Sequence, residues 1–89
     1  MERVDLRRSG AQGTAEAELL QLVTLLVERR RRLGLSQTEL GRRIGTSQRT
    51  VSQLETLAHE PKISTLISWA RAVGVRLSWS GTGDHAAEA

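Results

Sequence analysis

The chain has no cysteine, so neither a disulfide nor a thiolate-held zinc ion can staple it. It has one proline, Pro61, and only two aromatic residues, Trp69 and Trp79. No apolar run approaches the length of a membrane span, and nothing resembles a signal peptide. These absences agree with a reducing, cytoplasmic setting. Catalysis finds no footing either, since no paired acids, nucleophile–base set or metal ligands converge in the sequence. His59 lacks a second histidine, a cysteine or an acid cluster at ligand spacing, so no metal and no cofactor is expected. Eighty-nine residues make one small domain with a thin stability margin, for which oligomerisation is a reasonable supplement.

What the chain does have is positive charge in one place. Residues 29–53 hold seven arginines against one acid, Glu39, a net +6 within a chain whose total is +3. Residues 1–28 are net −2, and residues 63–89 balance at zero. A cluster of this kind suits a polyanion, although an arginine run on a helix is also compatible with a plain solvated face.

Residues 1–13, MERVDLRRSGAQG, mix charge and glycine without periodicity and read as a mobile arm. Arg7 and Arg8 would let such an arm enter a minor groove. From Thr14 to Leu33 the pattern is helical. Leu19, Leu22, Val23, Leu26, Val27 and Arg30 follow i, i+3, i+4, i+7 spacing, with acids early and arginines late. Leu20 lies off that stripe, and Gly34 suits the end of the helix. The run Arg29 to Arg32 wraps every face of the last turn, so some of these side chains face solvent or phosphate.

The centre of the chain is Ser36 to Glu55, two short helices around a turn at Gly45. Ser36-x-x-Glu39 is a capping box, and Ser47 is a second cap without the matching acid. Leu40 with Ile44, and Val51 with Leu54, supply an apolar stripe, while Gln48, Arg49, Ser52 and Gln53 remain polar. Helices this short need flanking helices to bury that stripe. Residues 56–61 form a loop. Ile63 to Val73 is a further amphipathic helix, with Leu66, Trp69, Ala70 and Val73 on one face, Ile63 and Ile67 widening it, and Gly74 ending it. Val75, Leu77 and Trp79 then alternate with Arg76, Ser78 and Ser80, which is strand periodicity. A lone strand in a helical chain has no partner within its own molecule. Pairing with a second copy across a two-fold axis is therefore expected, the alternative being an extended tail that packs Leu77 on the helices. Residues 81–89 read as disordered.

Residues 26 to 77 resemble the Cro/phage-repressor (Xre) helix-turn-helix family. The resemblance is carried by Gly34-Leu35-Ser36-Gln37, Glu39-Leu40-Gly41, Ile44-Gly45 and Val51-Ser52-x-Leu54-Glu55, followed by Pro61, Thr65-Leu66 and Ala70-x-x-Val73-Gly74-Val75. It implies an all-α, lambda-repressor-like bundle of four to five helices over residues 14–80, with the terminal strand paired across a dimer. It also implies that the second helix of the motif lies in the major groove. Gln48, Arg49, Ser52 and Gln53 fall on base-reading positions, and their chemistry fits adenine (Gln) and guanine (Arg). Gln37 falls on a phosphate position, with Thr46, Thr50, Arg43 and Lys62 as further phosphate contacts. Val75, Leu77 and Trp79 would form the dimer interface. In two places the chain departs from the pattern: Leu57 stands where the family often has glycine, and Lys62 where a small polar residue often caps the next helix.

The expectation is a dimeric, sequence-specific regulator, most simply a repressor, on pseudo-palindromic double-stranded DNA in the nucleoid. A narrower version is an antitoxin that also binds a cognate toxin. The short chain, the lack of a separate sensor domain and the terminal strand resemble HipB-like antitoxins. The reading from a different class is a protein-interaction module that never touches DNA.

Overall fold

The computed structural model describes residues 2–5 and 14–78. Four helices and two short strands follow in the order β1 (Glu2–Asp5), α1 (Ala15–Arg32), α2 (Gln37–Ile44), α3 (Gln48–Glu55), α4 (Ile63–Ala72) and β2 (Val75–Ser78). Three of the helices begin where a hydroxyl can stand in for a missing carbonyl. Thr14 Oγ1 accepts from the Ala17 amide at 3.1 Å, Ser36 Oγ from Glu39 at 3.0 Å, and Ser47 Oγ from Thr50 at 3.1 Å. Only half of the expected capping box forms. The Glu39 carboxylate accepts from Arg42 Nη1 at 2.8 Å and lies 3.6 Å from Arg43 Nε. α4 starts at Lys62 with no side-chain cap.

All four helices end on a left-handed residue: Gly34, Gly45, Leu57 and Gly74. At Leu57 the amides of Leu57 and Ala58 return to the carbonyls of Leu54 and Gln53 at 3.2 and 3.0 Å, the paired closure that glycine ordinarily makes. Leu57 takes φ +54°, the one positive φ outside glycine among the described residues. The departure noted in the sequence thus leaves the turn's geometry in place and puts the strain on a leucine.

The core draws on every helix: Leu22, Val23 and Leu26 from α1, Leu40 from α2, Val51 from α3, and Leu66, Trp69 and Ala70 from α4, closed by Val73 and Val75. α2 packs on α3 and α4, and α4 packs on β2. Ile63, expected to widen the buried face of α4, is instead 55% exposed, because it lies in the first turn at the rim of the packed face. Leu20, off the stripe, is also exposed.

The expectation that the terminal strand lacks a partner in its own chain needs correction. β2 pairs in parallel with β1, in the register Glu2 to Val75 through Asp5 to Ser78. Residues 2–5, expected within a mobile arm, therefore form a strand. The physical reason is the same backbone demand that suggested a partner: unpaired strand edges seek one, and the opposite terminus supplies it. Arg7, Arg8, Trp79 and the 81–89 tail lie outside the described residues.

Candidate nucleic-acid interface

Gly41 sets how closely α2 and α3 approach. A Cβ placed there would sit 2.7 Å from the Thr46 carbonyl oxygen and 3.1 Å from Ser47, closer than side chains tolerate. The Thr46 amide in turn bonds the Gly41 carbonyl at 2.7 Å, and Gly45 turns the chain with φ +78°. With Leu40 and Val51 fully buried and Ile44 and Leu54 packed against the same core, the two helices are close-packed as one unit.

Burying Val51 and Leu54 leaves the opposite face of α3 outward. Gln48 with Ser52, and Arg49 with Gln53, are i, i+4 pairs, so the four candidate base readers share that face. Gln48 and Arg49 are exposed, Ser52 and Gln53 half-buried. Arg49 makes no ion pair among the described residues, which leaves its planar fork of donors available. Thr46 and Thr50 line one cleft together with Ser64, Thr65 and Ser68 from the first turns of α4. Lys62, exposed, immediately precedes that helix. Arg43 is exposed beside Glu39 on α2. Gln37 is not in the hydroxyl-lined cleft; its side chain turns toward α3.

Gln37 belongs to a hydrogen-bonded chain that the sequence did not reveal. Arg30, 8% exposed, forks onto Glu55 through Nε to Oε2 at 2.5 Å and Nη2 to Oε1 at 3.1 Å. Its Nη1 donates to the Leu35 carbonyl at 2.7 Å. Gln37 Nε2 donates to Glu55 Oε1 at 2.9 Å, and Gln48 Nε2 donates to Gln37 Oε1 at 2.7 Å. A buried charge pair thus connects the end of α1, the α1–α2 turn and the end of α3, and its hydrogen bonds run out to the first residue of α3. One sign of it was available: Arg30 sits on the apolar stripe four residues after Leu26, and a charge at a core position needs a partner. Nothing in the pattern said which partner.

Of the dimer candidates, Val75 is fully buried within its own chain and Leu77 packs against the same core. Among the described residues no strand other than β1 lies beside β2.

Residues 26–80 match the family described as Helix-turn-helix. The chain belongs to this family, in its Cro/phage-repressor (Xre) form. At the level of class, membership in this family makes it a helix-turn-helix DNA-binding protein. Antitoxin HigA1 from Mycobacterium tuberculosis is 43% identical over 67 residues, in both strain CDC 1551 / Oshkosh and strain ATCC 25618 / H37Rv. That alignment takes in 73% of this chain and 45% of the relative, so the chain spans less than half the length of HigA1. An uncharacterized HTH-type transcriptional regulator from Methanothermobacter thermautotrophicus is 39% identical over 51 residues, covering 57% of this chain and 74% of that protein. No solved structure matches the chain. Within the helix-turn-helix motif, α3 occupies the position of the helix that enters the major groove.

Proposed function

We propose that this protein is a sequence-specific transcriptional regulator, most simply a repressor, that binds a pseudo-palindromic operator as a dimer. The observation that carries the reading is the outward face of α3, where Gln48, Arg49, Ser52 and Gln53 stand together on a helix locked to α2 by the close contact at Gly41. Arg49 matches guanine O6 and N7, and Gln48 matches the N6 and N7 edge of adenine. Thr46, Thr50, Arg43, Lys62 and the remaining amide proton of Gln37 contact the phosphates that fix the register. Residues 14–80 form the DNA-binding and dimerising unit, and a cytoplasmic, nucleoid-associated location goes with this role. No helix among the described residues is long and apolar enough to cross a membrane. The second copy pairs along an edge of the β1–β2 sheet, with Leu77 beside the joint, which places two α3 helices about 34 Å apart in successive major grooves.

The test is a gel-shift series on a site selected from random DNA. Arg49→Ala should lose on the order of 1–3 kcal/mol at one base position and little elsewhere. Equal affinity of wild type for the selected site and for random DNA would overturn the reading.

The identity with Antitoxin HigA1 over most of this chain favours a second role, in which the regulator also binds a cognate toxin. Co-expression with the product of an adjacent toxin-like reading frame should give a stable complex and relieve growth arrest. An isolated gene, or a neighbour that neither binds nor arrests growth, would remove this reading.

A further inference from the structure

We propose that the groove between the start of α1 and the α3–α4 loop is the docking surface for the toxin, which enters it as a basic segment carrying an apolar anchor. This rests on the second role proposed above. Two hollows of about 190 and 270 Å³ share Glu16, Leu19 and Glu60, and so run together as one groove. Leu19 from α1, Leu57 and Pro61 from the loop, and Ile63 from α4 give it apolar walls. Glu16 and Glu60, both exposed, bring negative charge from two different elements. Among the described residues no lysine or arginine lines either hollow.

Leu57 distinguishes this groove from an incidental gap between elements. Its φ of +54° strains a side chain, and glycine would close the same turn freely. The side chain packs on the core with one side and lines the larger hollow with the other. Its half-burial roughly offsets its strain, so stability alone gives no reason for leucine here. Strain of this kind gathers where a side chain serves a ligand or a partner. Ile63 adds to the case, since it stands exposed on the groove and outside the core.

Charge decides what class of partner fits. Glu16 and Glu60 repel phosphate, so the groove does not extend the DNA-binding face, whose residues 29–53 carry net +6. A second copy of this chain could bring that arginine cluster here only by taking it off the DNA. A partner protein whose lysines or arginines flank an aliphatic or aromatic side chain meets both demands. Its charges face Glu16 and Glu60, and its anchor enters between Leu57 and Ile63.

The test measures binding kinetics of the full chain on an inactivated variant of the toxin-like protein encoded beside its gene. Operator affinity and sedimentation are followed on the same samples. Leu57→Gly should weaken toxin binding about tenfold or more, the scale of one buried apolar anchor, with operator affinity and melting temperature near wild type. Ile63→Ser, at an exposed position, should act in the same direction. Glu16→Gln with Glu60→Gln should slow association and flatten its dependence on salt. If wild type binds the toxin and all these variants bind it equally well, the toxin sits elsewhere and this surface assignment alone falls. If wild type binds its operator but no toxin, the second role fails and the surface with it. Variants that lose operator affinity or self-association, and not toxin binding, would assign the groove to DNA or to a second copy and overturn the proposal.

Discussion

Two residues carry tension in their backbone surroundings, and each makes a definite prediction. Gly41 has no room for a methyl group, because its neighbours are backbone atoms that cannot swing away. Gly41→Ala should destabilise the domain by about 1–3 kcal/mol, as overpacking a tight crossing does, and a urea unfolding curve would report it. A loss below about 0.5 kcal/mol would mean that α2 and α3 can separate freely. Leu57 holds φ +54°, where a side chain costs about 1–2 kcal/mol. Leu57→Gly relieves that strain and forfeits a half-buried side chain, so its stability should stay within about 1 kcal/mol of wild type. Leu57→Val should fall clearly below Leu57→Gly, since a β-branched residue fits this conformation worst. The sequence made both positions visible. A glycine inside an amphipathic helix, and a leucine where the family pattern often has glycine, are features that need a structural reason.

At the scale of elements, the helices were readable because their signals are local. Caps at Ser36 and Ser47, apolar spacing and terminal glycines all act within one or two turns. The parallel pairing of β1 with β2 was not readable. Four residues carrying Glu2, Arg3 and Asp5 give no convincing alternation, and their partner lies at the other end of the chain. The Arg30–Glu55 pair was hidden for the same reason, since 25 residues separate the two charges. That pair joins α1 to α3, and removing one member strands a buried charge. Arg30→Met should cost about 3–5 kcal/mol, whereas Arg30→Met with Glu55→Leu should recover most of that loss. Thermal melts of the two single variants and the double variant check this. Additive losses would show that the charges do not act as a unit.

For the whole molecule, charge and assembly matter more than any single contact. The net +6 over residues 29–53 lies on the helices that present α3, away from the acids at the start of α1. Binding should therefore weaken steeply with salt. If a dimer neutralises about six phosphates, affinity should drop on the order of a thousandfold between roughly 50 and 200 mM monovalent salt. Affinity that ignores salt would point to a protein-interaction module. The β1–β2 sheet, open at its edges among the described residues, is the natural seat of the two-fold joint. The most direct measurement is footprinting of wild-type protein on its selected site, in competition with random DNA. The expected result is two protected half-sites one helical turn apart, about 10 base pairs centre to centre, held against a large excess of random competitor. A single unpaired footprint would contradict the dimer, and protection lost equally to random DNA would contradict specific reading by α3.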